Sequence, residues 1–146
     1  MHDVDLIKGM NRDLAQELGT ISRTIQQTAM ARGSADCDLR VFLKVGVIDD
    51  VFHALFLAEK IVDLGGTPTC TPAPFKSTTD PKEMLEYDLE LERHIIGHYE
   101  ERIKQAEAVW ALGLKTRLEK ILADEAEHAK AILRLLARRV RTRAAG

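Results

Sequence analysis

Glu17 is followed 33 residues later by Asp50-Val51-Phe52-His53, and Glu92 is followed 33 residues later by Glu125-Ala126-Glu127-His128. The chain thus holds, twice, a lone carboxylate and then a carboxylate-x-x-His. A carboxylate and an imidazole three residues apart share one face of a helix. Four packed helices would therefore direct four carboxylates and two imidazoles at one point. Such a cluster is costly by itself, because each carboxylate loses its water and the four raise one another's pKa. Two divalent cations balance the four carboxylates when both His are neutral. Each cation can take one His and one carboxylate, the other two carboxylates bridging, with coordination positions left open for dioxygen. Oxygen and imidazole donors suit iron, manganese or zinc rather than calcium or thiolate-bound copper. Taken singly, a Glu on an apolar stripe is an ordinary edge residue whose head reaches water, and one carboxylate-x-x-His arises by chance. The reading rests on six such residues in equal register.

The elements that must position them are legible as four helical segments. The first runs from about Val4 to Ala31, with Ile7, Met10, Leu14, Leu18, Ile21 and Ile25 as its stripe and Gly33 as a stop. The second runs from about Leu39 to Leu64, started by Asp36 or Asp38 and ended by Gly65-Gly66. It is apolar on more than one face through Val41, Phe42, Val45, Ile48, Phe52, Leu55, Phe56 and Ile61, which predicts that part of it packs on another subunit. Residues 65–79 hold three prolines and no helical pattern. This is a long crossover able to run the length of a bundle. Asp80-Pro81-Lys82-Glu83 is a strong helix start. The third stripe is Leu85, Leu89, Ile95, Ile96, Tyr99, Ile103, Ala106 and Trp110. A break at Leu112-Gly113 leads to the fourth, Leu114, Leu118, Ile121, Leu122, Ile132, Leu135 and Leu136. The fold expected is all-α: a four-helix bundle of two antiparallel helix pairs joined by the crossover. Residues 1–146 form one domain in this reading, because either half alone would hold half a site and half a core.

Composition narrows the classes further. Of 146 residues 45% are hydrophobic and 30% charged, and the formal net charge is −2, so no global field draws the chain to nucleic acid or membrane. Two cysteines, Cys37 and Cys70, form no disulfide framework and suit a reducing, cytoplasmic setting. No apolar run is long enough for a membrane span, and the acidic start Met1-His2-Asp3-Val4-Asp5 lacks the basic region of a signal peptide.

The chain resembles bacterioferritin and, more broadly, the ferritin-like di-iron-carboxylate superfamily. The matching stretches are Gln16-Glu17-Leu18, then Ile48 to Ala54 running on to Leu64-Gly65-Gly66-Thr67-Pro68, then Asp88 to Glu92, and Leu122 to His128. The resemblance covers about residues 4 to 140. It implies Glu17 and Glu92 as terminal ligands, Asp50 and Glu125 as bridging carboxylates and His53 and His128 as imidazole ligands of two irons. It also implies a ferroxidase that oxidises Fe(II) with dioxygen or peroxide and stores the ferric product. Four departures stand out. Asp50 replaces the family's Glu and is shorter by one methylene, about 1.5 Å. Val51 stands where the family has its haem-ligating Met, so haem is not expected. Thr24, Leu57 and Ala131 replace aromatics near the site, although Tyr99 lies two turns beyond Glu92 on the same face. The short fifth helix of the storage cage has almost no counterpart after the fourth segment.

Other readings stay open at this level. A small di-iron or di-manganese oxidase or peroxidase that stores nothing would use the same six residues. His94 and His98 share a helix face but lie around the helix from Glu92, as a surface or interface pair. Arg134, Arg138, Arg139, Arg141 and Arg143 suit the dipole of a helix C-terminus; the sharper alternative is a nucleic-acid- or partner-binding tail, as in the DNA-protecting mini-ferritins. The partners expected are Fe(II), dioxygen or peroxide, and at least one further copy of the chain, seated on the apolar second helix.

Overall fold

The computed structural model describes residues 2–146, with side chains from Val4 onward, so the reading of the N-terminus, which begins at Met1, lies partly outside the described residues. Four helices account for most of it: α1 His2–Met30, α2 Cys37–Asp63, α3 Pro81–Ala108 and α4 Leu112–Ala144. One turn of 3-10 helix, Ser34–Asp36, joins α1 to α2, and no strand occurs among the described residues. No helix is long and apolar enough to cross a membrane.

The helix ends explain the packing. Asp80 accepts a hydrogen bond from the Glu83 amide at 3.0 Å and Pro81 opens α3, as the sequence predicts. Asp36 does not cap α2 with its side chain. Its carboxylate instead accepts from the Gly33 amide at 3.0 Å and from Arg139 at 2.7 Å, tying the α1–α2 turn to the end of α4. At the end of α2, Gly65 takes φ +83, and the Gly66 and Gly65 amides bond back to the Ile61 and Val62 carbonyls. This is the glycine-closed helix end expected of Gly-Gly. The same pattern closes α3, but there Trp110 holds the left-handed position, at φ 59. The break therefore falls at Val109–Ala111, two residues before Gly113, and Trp110 is 83% exposed rather than packed on the bundle.

The crossover, residues 64–80, runs along α1. Thr67 and Thr69 bond to Asn11, the Ala73 amide to the Ala15 carbonyl at 2.8 Å, and Ser77 to Gln26. Those contacts advance 15 residues along α1, about 22 Å of helix. Gly19 is required there, because a Cβ would sit 2.8 Å from the Ala73 carbonyl oxygen. The second pair thus starts at the far end of the bundle, and both cross-pairs are antiparallel. Across α1 and α3, Asp13 meets Arg102, Glu17 meets Tyr99 and Arg23 meets Asp88. Across α2 and α4, Asp38 meets Arg138, Asp49 meets His128 and His53 meets Asp124.

Two apolar clusters cap the interior. One contains Leu6, Met10, Leu14, Leu57, Ile61, Ile95, Tyr99, Leu118 and Ile121; the other contains Leu39, Leu43, Met84, Leu85, Leu89 and Ile132. Ile25, expected in the first stripe, is exposed instead. The α1 ridge that faces α3 is polar: Asp13, Glu17, Thr20, Arg23, Thr24 and Gln27 are all buried. Arg102 lies fully buried, its guanidinium 2.7 Å from Asp13, and fits only because Gly9 has no side chain: a Cβ there would come within 1.9 Å of it. Breaking one member of a buried ion pair leaves the other uncompensated. Arg102→Met is therefore expected to lower stability by about 3 kcal/mol, and the pair Asp13→Leu with Arg102→Met by less, measured by urea unfolding. A loss in the double variant equal to the sum of the two single losses would show that the pairing contributes nothing.

Candidate metal centre

The six sequence-predicted residues meet at mid-bundle, between the two apolar clusters. Glu17, Asp50, His53 and Glu125 each offer a donor atom within 4.8 Å of the others, and Glu92, Glu125 and His128 form a second such group sharing Glu125. Both imidazoles turn Nδ1 inward. His53 Nδ1 lies 2.8 Å from Glu125 Oε1 and 3.6 Å from Glu17 Oε1. His128 Nδ1 lies 3.3 Å from Glu125 Oε2 and 4.0 Å from Asp50 Oδ1. All four carboxylates are buried, and Glu17 Oε2, Asp50 Oδ1, Glu92 Oε2 and both Glu125 oxygens have no hydrogen-bond partner, nor does His53 Nδ1. Buried polar atoms are almost always satisfied. Six such atoms converging on one point fit a cation, which carboxylate oxygens and imidazole nitrogens both bind.

Three supporting residues escape a reading of the ligand motif alone. His53 Nε2 lies 3.0 Å from Asp124, the residue before Glu125, and His128 Nε2 lies 3.1 Å from Asp49, the residue before Asp50. Each helix of the α2–α4 pair therefore orients the other's imidazole, with a carboxylate on the outer nitrogen that leaves Nδ1 free to bind a metal. The signal was present as an acid directly preceding each carboxylate-x-x-His. Tyr99, fully buried, donates its hydroxyl to Glu17 Oε1 at 2.5 Å, holding that carboxylate in place. The remaining tempting residues lie outside the cluster. His94 is exposed, and His98 Nδ1 approaches Asp13 at 3.8 Å. Cys37 and Cys70 are exposed free thiols. Arg138 and Arg139 pair with Asp38 and Asp36.

Without metal the cluster retains protons. Burial, then the charge of Glu125, pushes Glu17 up to about 7. Burial, then Glu17 and Glu125, pushes Asp50 up to about 8, and burial with Glu125 raises Glu92 well above the usual carboxylate range. Burial also disfavours an ionised Glu125, but the two imidazoles outweigh it and hold that group at about 2. Burial works against protonated imidazoles, yet the adjoining carboxylates prevail and raise His53 to about 11 and His128 to about 9. An entering cation must displace protons from both imidazoles and from the raised carboxylates.

Comparison with known proteins agrees with this fold. A family model described as a ferritin-like domain matches residues 7–140. A crystal structure of ferritin-like, diiron-carboxylate proteins from Bacillus anthracis str. Ames superposes with TM-score 0.91 and 39% identity, over 93% of this chain and 98% of that one. The Desulfovibrio desulfuricans bacterioferritin, solved with its diiron site in different catalytic states, gives TM-score 0.86 at 23% identity, over 93% and 80% of the two chains. The Rhodobacter capsulatus bacterioferritin, solved with a metal-free dinuclear site and with heme iron, gives 0.87 at 22%, over 94% and 87%. No curated protein matches the chain.

The titrations fix a sign for pH dependence. Glu17, Asp50 and Glu92 keep protons in the fold that the unfolded chain releases, and His53 and His128 do so above the usual imidazole value of 6.5. For groups raised in the fold, the stabilisation is present below the unfolded pKa and lost as pH rises through the folded one. The metal-free protein should therefore melt at progressively lower temperature from about pH 6 to about pH 9. Loading with Zn(II) should flatten that profile and release more than about two protons per chain, read by calorimetry in buffers of different ionisation heat. Loading without proton release would show that the cation binds elsewhere.

Proposed function

The chain belongs to the ferritin-like domain family, and from that premise we propose that it is a di-iron ferroxidase that oxidises Fe(II) with dioxygen or peroxide at the mid-bundle cluster. The observation that carries this reading is the set of unpartnered carboxylate oxygens around the inward-facing Nδ1 atoms of His53 and His128. Glu17 and His53 would hold one iron, Glu92 and His128 the other, and Asp50 and Glu125 would lie between them. Two Fe(II) ions together supply two electrons, enough to take dioxygen to the peroxide level or peroxide to water. The protein's part is position and charge. Asp49 and Asp124 keep the imidazoles aimed, Tyr99 holds Glu17, and the raised carboxylates and imidazoles yield protons as cations arrive.

The donor set suits iron by charge and hardness and would also accept manganese or zinc. A small oxidase that stores nothing would use the same residues. Haem has no place in this reading, since Val51 follows Asp50 on α2. Glu92→Ala and His128→Ala are each expected to abolish rapid dioxygen-dependent Fe(II) oxidation, measured by stopped-flow absorbance. Unchanged kinetics in both variants would defeat the proposal.

We further infer a homodimer, or a larger assembly built from one, seated on α2. Val41, Val45, Ile48, Phe52, Leu55 and Val62 are each more than half exposed and recur at helical spacing along one face. A continuous apolar stripe over most of a 27-residue helix marks an interface rather than scattered surface residues. Two-fold packing of α2 on α2 would cover it with its own kind. Phe52→Glu is expected to reduce the solution mass to that of one chain, by light scattering, with helix content retained. An unchanged mass would place the interface elsewhere.

A further inference from the structure

A shift of 75 residues maps one half of the site onto the other. It carries Glu17 to Glu92, Asp50 to Glu125 and His53 to His128, and equally Asp13 to Asp88 and Asp49 to Asp124. The structure follows this register. Asp88 is held by Arg23 and Gln27, and Asp13 by Arg102, the counterpart of Gln27, with His98, the counterpart of Arg23, 3.8 Å away.

The two halves differ at many positions under this shift, and three of the differences put a small residue in one half against a large one in the other beside the metal cluster. Thr20, Thr24 and Gly46 correspond to Ile95, Tyr99 and Ile121. Around Glu17 the larger residues fill the interior: Ile95 and Ile121 are buried in the core and Tyr99 donates to Glu17. A groove of about 370 Å³ does reach His53 and Ile121 from the Asp49 and Asp124 side, but neither Glu17 nor Glu125 lines it. Around Glu92 and His128 the smaller residues leave a cleft of about 20 Å³, lined by Thr20, Thr24 and Gly46 together with Asp50, Glu92 and His128. That is room for about one water-sized molecule. Three buried polar atoms without partners belong to its lining residues: Thr20 Oγ1, Asp50 Oδ1 and Glu92 Oε2. The donor sets differ in the same sense. Four side chains gather at Glu17 and His53, but only Glu92, Glu125 and His128 on the other side.

We propose that this cleft receives a small exogenous ligand, of the size of dioxygen, peroxide or azide, at the Glu92–His128 metal position, and that the Glu17–His53 position is closed to it. The inference rests on the di-metal reading above. It assigns the open coordination to one half of the site, and the cause is three small residues in the place of three large ones. Thr20 offers the ligand a hydroxyl. Gly46 opens the rim, and a Cβ built there meets nothing within 4 Å.

The test uses full-length protein loaded with Co(II) and titrated with azide, followed by the visible Co(II) spectrum. Wild type is expected to bind two Co(II) and then one azide per chain. Gly46→Ile and Thr20→Ile, each restoring the residue type of the opposite half, are expected to keep two Co(II) but to weaken azide at least about tenfold, with some loss of stability in Thr20→Ile, whose site is buried. Unchanged azide affinity in Gly46→Ile, with both Co(II) bound, overturns the inference and leaves the di-metal reading intact. Failure of wild type to take up two Co(II) removes the di-metal reading, and this inference with it.

Discussion

Burying four carboxylates within a few ångströms of one another is the constraint on which the rest of the structure depends. In water the repulsion would be screened; between four helices it is not, and each anion also forfeits its hydration. The fold tolerates the cluster in two ways. Without cations it retains protons, which is why Glu17, Asp50 and Glu92 are raised while Glu125, flanked by both imidazoles, stays ionised. With two divalent cations the charges would cancel and the orphan oxygens would find partners. The two states exchange protons for metal at the same atoms, so the site's occupancy and its acidity are one property.

That constraint reaches outward through the bundle. Each imidazole needs its outer nitrogen fixed, and Asp49 and Asp124 do this from the opposite helix at the edge of solvent. The α1–α3 interface then carries further buried pairs, Asp13 with Arg102 and Asp88 with Arg23, on either side of Glu17 and Glu92. Buried ion pairs contribute little net stability but demand one geometry. Here they set the register of α1 against α3 with the ligands in line. Apolar packing is displaced to the two ends, where Met10 with Leu118 and Met84 with Ile132 mark the separate cores.

The near-symmetry of the halves makes their differences informative. The six cluster residues and the aspartates on the outer imidazole nitrogens obey the 75-residue register, whereas Thr20, Thr24 and Gly46 and their counterparts do not. Tyr99 and Thr24 occupy equivalent places, yet one seals its side with a hydrogen bond and the other leaves a gap. The shorter Asp50 opposite Glu125 acts in the same direction. Its oxygen stays 4.0 Å from His128 Nδ1, against 2.8 Å between Glu125 and His53. A duplicated scaffold thus carries two unlike positions.

The convergence of the six residues, the four helices and the crossover were legible in the sequence because each rests on local rules: i,i+3 spacing, apolar periodicity, the Asp80-Pro81 start, the Gly65-Gly66 stop and the proline-rich stretch between them. The exposed stripe of α2 was legible for the same reason, as one helix with too many apolar faces. The polar α1–α3 seam was not. Asp13, Arg23 and Arg102 read as surface charges until a partner 65 to 89 residues away neutralises them. Likewise only packing could put Ile25 and Trp110 in solvent, close Glu17 with Tyr99, and leave space beside Thr20 and Gly46. A periodic pattern fixes which face of a helix turns inward. What that face meets is decided by other helices, and so by contacts that no local spacing encodes.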